Sequence, residues 1–549
     1  MFTLLVVGVI FLNSIPVYGM VSRRLGSLFV TVNTFFQSIQ HQIKMSSTFF
    51  KDSVHYRYGM HCQTIYKDRV AKVRTDTQLC AGEKAFIEKR KPKVKQALEN
   101  LLGRKIEDDH VPTVAFVFSG GGYRSMIYTM GALCGAQDAG LLDTAMYTSG
   151  LSGSCWALGS WMSSDTSLKE HTESLITKMG WGINKITVAQ ATLIGKMLML
   201  KYAYGQPISL VDMYGGLLAN TLFAHYGDTR HFVYLSDQMQ KINDGSRPFP
   251  LYSLVICDYH GTYYWAECTP CEFSCTGLEF SIPIWAMGRK FFNGVSFDFA
   301  PEQSLSTLFG VFGSAFTATF NRIYRDVKNK FMTGLTRKTM DALLSKFGGK
   351  RLIHGATLYN MIFGMDNRSI CKQKNLYACD AGIDFNLGYP AVSGQHLKRK
   401  ADVIVFVDAS TTLVNSPDLK RIERYAQKYN LPFPKIDYTD INKKSVSVFK
   451  DEQNKTAPVV IYLPRIKDEK KWNAFKNDSH FLDHKEYLDE FDPEKCVWNN
   501  FGKTAKFMYT KNQAKTWYLL ADFNMKASKP EILEAINWAI DNKLSLSRA

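Results

Sequence analysis

Residues 148–159 read TSGLSGSCWALG and contain the order G-x-S-G-S. This order nearly matches G-x-S-x-G, the sharp strand-to-helix turn on which serine hydrolases expose their nucleophile. Ser154 replaces the second glycine of that pattern, so Ser152 and Ser154 compete as candidate nucleophiles. Strand and helix approach closely at such a turn, and Gly150, Gly153 and Ser154 are all small enough to allow it. The stretch therefore predicts a strand, a sharp turn at Ser152, and a helix starting near Ser154.

A second glycine-rich turn, SGGGYR at 119–124, precedes this one. It follows VPTVAFVF at 111–118, an apolar run typical of a strand buried on both faces. Apolar residues then recur at helical spacing as far as Asp138. Backbone N–H groups in such a turn point toward negative charge, so it could cradle a phosphate or form an oxyanion hole. The nucleotide-binding glycine patterns are absent, and a tight turn without function is the remaining alternative.

A nucleophilic serine needs a base. A histidine-dependent hydrolase would use a late histidine, but His396, His480 and His484 lie in polar or basic stretches that predict a solvated surface. Asp380, in CDAGIDFNLGYP, follows a predicted strand. An apolar setting could raise the pKa of its carboxyl and make it a base. An aspartate before glycine is also common as a plain turn residue.

Strands interleaved with helices predict an α/β fold with a largely parallel sheet. Gly131 and Gly135, four residues apart on the predicted helix after the glycine turn, would let it lie close to a neighbour. The aromatic-rich stretch at about 260–330 predicts irregular insertions on the sheet. Further strands are predicted at 251–258, 402–408 and 459–464, and a helix at 528–540 with Ser528 as N-cap.

The chain of 549 residues carries a net charge of +17, which favours anionic partners such as nucleic acid or acidic phospholipids. No nucleic-acid-binding module is recognisable. Cys268, Cys271 and Cys275 lack a fourth metal ligand and have an atypical spacing for zinc. They therefore predict packed thiols or one disulfide rather than a metal site.

The first residues, MFTLLVVGVIFLNSIPVYGM, resemble a secretory signal with an apolar run from Leu4 to Leu12. Cleavage after Gly19 would fit, although no basic residue precedes the apolar run. We therefore predict a signal at 1–19, an N-terminal extension at 20–54, and a secreted or secretory-pathway protein. Met20 or Met45 would instead begin a cytoplasmic product without this signal.

SGGGYR, GLSGSCW and DAGIDFNLGYP occur here in the order and context of one enzyme family. They resemble the catalytic domain of cytosolic phospholipase A2 and of the fungal-type phospholipase B/lysophospholipases. IPIWAMGRKFFNG at 282–294 and PEQSLSTLFGVFGSAF at 301–316 extend the resemblance over about 55–545. The resemblance implies a patatin-like α/β domain, with a mostly parallel sheet flanked by helices and a cap or lid around 260–330.

By position, the resemblance makes Ser152 the nucleophile and Asp380 the base of a Ser-Asp dyad without histidine. Gly121 and Gly122 match the amides of the oxyanion hole, and Arg124 matches the arginine that engages the substrate phosphate or the developing charge. Ser154 matches the small residue after the turn. The implied chemistry is attack on a fatty-acyl ester, an acyl-enzyme and hydrolysis by water, with no metal or cofactor and no calcium for catalysis. The alternatives are a catalytically inactive relative that only binds lipid and a histidine-dependent α/β-hydrolase esterase.

The implied partner is a phospholipid membrane or micelle surface, anionic in character, and no nucleic acid. Basic residues on both sides of the Asp380 motif, at Lys372, Lys374 and Lys398–Lys400, could touch anionic lipid. Solvated surface charge is the simpler interpretation of each one alone.

Overall fold

The computed structural model describes residues 64–183, 187–258, 260–315, 355–411, 413, 416–499, 502–504 and 506–547. The predicted signal at 1–19 and extension at 20–54 lie outside these residues. The chain divides into two compact units. The first unit comprises Met1–Lys72, Gly182–Tyr234 and Trp285–Ala378, and the second comprises Val73–Trp181, Leu235–Ile284 and Cys379–Ala549.

The helices and strands of the described residues are labelled here in chain order. The helices are α1 Ala81–Leu102, α2 Gly122–Asp138, α3 Gly153–Met162, α4 Leu168–Lys178, α5 Val188–Ala203, α6 Leu210–Leu222, α7 Gln238–Ile242, α8 Leu305–Phe312, α9 Pro417–Lys428, α10 Glu469–Phe475, α11 Ser479–Leu482, α12 Pro493–Asn499, α13 Lys511–Ala527 and α14 Lys529–Ser547. The strands are β1 Val114–Phe118, β2 Tyr147–Leu151, β3 Phe249–Cys257, β4 Tyr263–Cys268, β5 Glu272–Cys275, β6 Phe280–Pro283, β7 Phe291–Phe292, β8 Val295–Ser296, β9 Ala356–Tyr359, β10 Asn375–Asp380, β11 Val403–Asp408, β12 Ser447–Phe449 and β13 Val459–Pro464. In the part of the chain covered by these elements, no helix has the length and apolar character needed to cross a membrane.

The core of the second unit is a sheet with the strand order β12-β13-β11-β1-β2-β3-β4-β5-β6. The five strands from β13 to β3 run parallel, and the flanking pairs are antiparallel. Every residue of these five strands is buried, and for β1 this confirms the strand buried on both faces that its apolar run predicts. The predicted α/β fold with a largely parallel centre is thereby confirmed.

The prediction that about 260–330 forms irregular insertions is wrong for its first part. Residues from Tyr263 to Pro283 form β4, β5 and β6 and extend the sheet. Trp265, Phe273 and Phe280 on these strands are buried, so the aromatic side chains of this stretch are core residues. Aromatic residues fit a pleated, half-buried surface well, which is the physical reason for the difference.

Helix α2 lies against α13 at the two glycines singled out in the sequence. A Cβ atom built on Gly131 would lie 2.2 Å from the carbonyl oxygen of Tyr518. One built on Gly135 would lie 2.7 Å from the carbonyl oxygen of Asp522. Backbone therefore packs directly on backbone, and the prediction of a close approach at this helix is confirmed.

A buried ion-pair cluster ties α1 to the sheet. Arg399 donates two hydrogen bonds of 2.7 Å to the carboxylate of Glu83, the third residue of α1. It also lies 3.1 Å from the carboxylate of Glu267 on β4, and Tyr147 donates to Glu83 at 3.0 Å. Arg399 is therefore a buried structural residue, which corrects its interpretation as part of a solvated or lipid-facing basic run.

Burial raises the pKa of the Glu267 carboxyl to about 7, and Arg399 offsets this only in part. The unfolded chain titrates this group near about 4.3, so the folded state binds more protons between the two values. Stability from this group is therefore lost as the pH rises through that range. We expect Glu267→Gln to remove about 1–3 kcal/mol of this pH dependence.

Thermal unfolding midpoints from about pH 5 to about pH 8 test this expectation. The unfolding midpoint of Glu267→Gln minus that of the parent protein should increase as the pH rises. Glu107→Gln changes an exposed carboxylate, and its midpoint should follow that of the parent at every pH. Parallel pH profiles for the parent and Glu267→Gln would contradict it.

Candidate active site

Ser152 stands on a sharp turn between β2 and α3. Its backbone has φ 55° and ψ −120°, a conformation that non-glycine residues rarely adopt. Such strain persists only where the surrounding structure enforces it, and it is concentrated at functional sites. The side chain is 4% exposed, at the N-terminus of α3. The strand, turn and helix predicted from residues 148–159 are confirmed.

The small residues around Ser152 are needed for close packing. A Cβ atom on Gly153 would lie 2.0 Å from the carbonyl oxygen of Gly122, at the start of α2. One on Gly150 would lie 2.9 Å from the backbone nitrogen of Cys155. The glycine turn and the serine turn therefore touch through their backbones, which places the two predicted motifs in one site.

The Ser154 side chain stabilises the turn through hydrogen bonds to the backbone. Its hydroxyl accepts a hydrogen bond from the backbone N–H of Leu151 at 2.7 Å. The same hydroxyl lies 2.8 Å from the Leu151 carbonyl and 3.1 Å from the Phe118 carbonyl, either of which can accept its proton. Ser154 is fully buried. The interpretation of Ser154 as packing at the start of the helix is thus confirmed, and it also bonds the end of β2.

Gly121 and Gly122 form the glycine turn at the N-terminus of α2. Their φ angles are 146° and 62°, in the region that favours glycine. No residue among those described accepts a hydrogen bond from the backbone N–H of either glycine. Free N–H groups at a helix N-terminus are suited to binding an oxyanion or a phosphate oxygen.

Arg124, in the first turn of α2, is fully buried. Its guanidinium donates to the carbonyls of Ala409, at 2.8 Å, and Gly502. It also donates to the hydroxyls of Thr504, at 3.2 Å, and Thr411, at 3.1 Å. A Cβ atom on Gly121 would lie 2.5 Å from its Nη2 atom, so the guanidinium lies directly against the glycine turn.

The positive charge of Arg124 is held in place by the protein. Burial, followed by the nearby Arg465, lowers the pKa of the Arg124 guanidinium to about 10, which still leaves it charged near neutral pH. A fixed cation beside free N–H groups strengthens the positive potential of the turn.

Asp380 ends β10 and is 1% exposed. One oxygen of its carboxylate accepts a hydrogen bond of 2.9 Å from the backbone N–H of Gly382. The pKa of the Cys155 thiol, in the first turn of α3, is raised by burial and also by the charge of Asp380. The carboxylate therefore lies within electrostatic reach of the helix that begins after Ser152.

Asn386 joins these parts, and sequence reasoning gave it no role. Its Oδ1 accepts from the Gly120 N–H at 3.1 Å, while its Nδ2 donates to the Gly120 carbonyl at 3.2 Å and to Ser410 at 2.6 Å. A Cβ atom on Gly120 would lie 2.5 Å from Oδ1 and 2.9 Å from the Cβ of Ser152. A Cβ atom on Gly382 would lie 3.2 Å from the same Oδ1 and from the carboxylate of Asp380. The Asn386 amide thus lies beside both turns.

The buried carboxylate of Asp418 holds the backbone of Asn386 in place. The backbone N–H of Asn386 donates to Asp418 at 3.0 Å. Burial, followed by the charge of Asp408, raises the pKa of the Asp418 carboxyl to about 6. The available sequence signal for Asn386 was its position as a polar residue between Phe385 and Leu387 in the Asp380 motif.

The prediction that the late histidines are solvated is wrong for His396, His480 and His484. His396 is buried, and burial lowers the pKa of its imidazole. His480 is half-buried, with Nε2 2.6 Å from the carboxylate of Asp522 on α13. His484 lies 3.3 Å from the ammonium of Lys515. For His480 and His484 the local polarity of the sequence was a poor guide, because polar partners on α13 lie against these side chains.

Cys268, Cys271 and Cys275 form no disulfide in the described part of the chain, and Cys268 and Cys275 are buried. The prediction of packed thiols is confirmed for these two residues, and the alternative of a disulfide within the cluster is wrong. Both buried residues lie on strands of the sheet, where they act as small apolar core residues.

The chain is similar to curated cytosolic phospholipases A2. It is 24% identical over 560 residues to human cytosolic phospholipase A2 epsilon, covering 89% of this chain and 63% of the relative. Mouse cytosolic phospholipase A2 zeta is 24% identical over 475 residues, covering 72% of this chain and 54% of the relative. The chain thus spans less than two thirds of the length of these relatives.

The prediction of a secretory signal and a secreted protein is contradicted by these relatives, which are named as cytosolic enzymes. The apolar run from Leu4 to Leu12 has no basic residue before it. A short apolar run without that charge is a weak mark of a signal, because many segments of globular chains share it.

Solved structures support the fold. The structure of human GIVD cytosolic phospholipase A2 matches with a TM-score of 0.72 and 20% identity, covering 86% of this chain and 68% of that chain. The complex of that human enzyme with methyl gamma-linolenyl fluorophosphonate matches with a TM-score of 0.64 and 24% identity, covering 86% and 66%. The patatin-like α/β fold implied by the sequence resemblance is confirmed.

A family model for the lysophospholipase catalytic domain matches residues 114–431. This range contains the glycine turn, the serine turn and the Asp380 motif, together with the strands that carry them. With this match over more than half of its length, the chain belongs to the lysophospholipase catalytic domain family.

Proposed function

We propose that this protein is a serine acyl hydrolase that cleaves fatty-acyl esters of glycerophospholipids or lysophospholipids. One observation carries the proposal: Ser152 sits on a strained strand-to-helix turn in backbone contact with the glycine turn. The family match and the names of the relatives support a lipid ester as substrate. The related human GIVD enzyme forms a complex with methyl gamma-linolenyl fluorophosphonate, a fatty-chain compound.

The first half-reaction is attack by Ser152. Asp380 takes the proton as Oγ adds to the ester carbonyl carbon, and a tetrahedral oxyanion forms. Collapse breaks the carbon–oxygen bond of the ester. The leaving alkoxide takes the proton back from Asp380, which leaves a fatty acyl group on Ser152. Water then attacks this acyl-enzyme by the same steps and releases the fatty acid.

The backbone N–H groups of Gly121 and Gly122 stabilise the oxyanion. Donors fixed in place before reaction cost no reorganisation in the transition state, and they act most strongly in a buried site. Arg124 adds positive potential from behind the turn, since its own hydrogen bonds go to protein atoms. Its role is to favour negative charge at the turn, against which its guanidinium lies.

The proposed partner is an anionic phospholipid surface. The net charge of +17 favours association with anionic headgroups. Neither a metal nor another cofactor enters the proposed reaction, because the base, the nucleophile and the oxyanion donors are all supplied by the chain. Calcium is likewise not proposed as a catalytic ion.

Hydrolysis of phosphatidylcholine with two differently labelled acyl chains tests the proposal, with lysophosphatidylcholine as a second substrate. Release of labelled fatty acid from either substrate is expected. The ratio of the two labels then identifies the acyl position that is cleaved. The proposal is wrong if purified, folded protein releases no fatty acid from either lipid.

Asn386→Ala is expected to lower kcat by about 10–100-fold, with KM changed by less than about threefold. The variant removes both hydrogen bonds between the Asn386 side-chain amide and the backbone of Gly120, so the neighbouring oxyanion donors lose their alignment. Kinetics on lysophosphatidylcholine separate kcat from KM.

Ser410→Ala is the matched control, because it removes one partner of the Asn386 amide and leaves both contacts with Gly120. We expect it to stay within about threefold of the parent enzyme. A higher KM with unchanged kcat in Asn386→Ala would instead assign Asn386 to substrate binding.

A further inference from the structure

The first unit carries an exposed ribbon, formed by residues 65–72 and 290–297 and called here the aromatic ribbon. Strands β7 and β8 pair as a hairpin. Its turn, Asn293-Gly294, has φ angles of 49° and 77°, as a type I′ hairpin turn requires. Lys72 pairs antiparallel with Val295, and the backbone N–H of Ser296 donates to the Ala71 carbonyl at 2.9 Å.

Side chains alternate across the aromatic ribbon. Ala71, Phe291 and Ser296 are buried beneath it. On the outer face, Phe292 is 54% exposed and Phe297 is 66% exposed. Five of the nine exposed large apolar side chains among the described residues lie on this ribbon, and they are Ile65, Val70, Phe292, Val295 and Phe297. Apolar residues grouped in this way mark an interaction surface.

The aromatic ribbon is held rigidly from below. The buried guanidinium of Arg289 donates to the carbonyl of Arg69 at 2.6 Å and to that of Tyr66 at 2.8 Å. It also stacks 4.6 Å from the ring centre of Trp285, on which Tyr66 stacks at 4.9 Å. Because the backbone is already ordered, docking costs little conformational entropy.

Basic side chains accompany the exposed apolar ones. Lys67, Arg69 and Lys72 are exposed on the ribbon, and Asp68 is the exposed acidic residue of the same segment. Aromatic side chains prefer the boundary between lipid headgroups and acyl chains, while lysine and arginine are attracted to anionic headgroups. A mixture of both on one rigid face fits a membrane surface.

We propose that the outer face of the aromatic ribbon docks on an anionic phospholipid surface. Phe292, Val295 and Phe297 insert among the acyl chains, while Lys67 and Lys72 contact the headgroups. The inference deepens the proposed function and rests on it, since a phospholipid hydrolase must reach substrate at such a surface.

Co-sedimentation with vesicles of non-hydrolysable diether phosphatidylcholine, with and without diether phosphatidylserine, tests the docking. The double variant Phe292→Ser/Phe297→Ser is expected to bind at least about tenfold more weakly. Lys67→Glu/Lys72→Glu is expected to lose the preference for phosphatidylserine, at about fivefold per lysine. Leu482→Ser, at an exposed apolar residue on α11, is the matched control and should bind like the parent. Thermal unfolding verifies that each variant is folded.

Several outcomes would overturn the docking proposal. Parent protein that binds neither vesicle, or a phenylalanine double variant that binds like the parent, would overturn it. A dimeric parent protein together with a monomeric phenylalanine double variant would also overturn it, because the face would then be an interface between two copies.

Turnover of a water-soluble short-chain ester separates this inference from the proposed function. Every ribbon variant is expected to keep that turnover within about twofold of the parent. A parent protein without turnover would defeat the proposed function, while sedimentation would still decide the docking.

Discussion

Ser152→Ala should abolish fatty-acid release, lowering kcat by at least about 10⁴-fold. The reason is chemical, because without Oγ no acyl-enzyme can form and the free N–H groups of the glycine turn have no intermediate to stabilise. Alanine keeps the Cβ atom of the serine and removes only Oγ, so the fold should persist. Release of labelled fatty acid from lysophosphatidylcholine under single-turnover and steady-state conditions measures the effect.

Ser154→Ala is the matched control, because it removes a hydroxyl two residues away in the same turn. It breaks the hydrogen bonds to Leu151 and should lower thermal stability by about 1–3 kcal/mol. Activity should stay within about tenfold of the parent. If Ser152→Ala keeps its activity and Ser154→Ala loses it, the nucleophile has been assigned to the wrong serine.

Asp380→Asn should lower kcat by about 10³–10⁴-fold, because the amide cannot accept the serine proton. Asparagine keeps the side-chain oxygen that bonds the Gly382 N–H, so the local turn should survive. Single-turnover release of labelled fatty acid from lysophosphatidylcholine measures the effect, because it isolates the attack step in which Asp380 accepts the serine proton.

His480→Ala is the control for a histidine-dependent reaction. It removes the hydrogen bond to Asp522 between α11 and α13, so a loss of stability is expected with little change in kcat. Loss of turnover in His480→Ala together with full activity in Asp380→Asn would replace the Ser-Asp mechanism by one that depends on histidine.

Local sequence patterns predicted the structure correctly wherever the conformation of a short segment depends mainly on its own residues. The segments at β1, β3, β11 and β13 are rich in β-branched and aromatic residues, so they predict strands, and all four belong to the sheet. The glycines on α2 are a second case. Two glycines on one face of a helix have no side chains there, so they predict that another segment packs closely against that face. The serine turn is a third, since few conformations suit GLSGS between a strand and a helix.

Predictions failed where the deciding partner is distant in sequence. Arg399 sits in a basic run, yet its partners Glu83 and Glu267 come from α1 and β4. Composition within the run contains no information about either carboxylate. The aromatic stretch that forms β4 to β6 failed for a similar reason, because its residues are buried by other parts of the sheet.

The sequence by itself determined the parallel α/β core, the turn at Ser152, the glycine turn and the family, because these depend on local sterics and on ordered motifs. Only the tertiary structure decided that Asn386 joins the glycine turn to the Asp380 loop, that Arg124 donates its hydrogen bonds to other protein groups, and that Arg399 is buried. Hydrogen bonds and ion pairs between segments hundreds of residues apart depend on how the whole chain packs, and no local spacing encodes them.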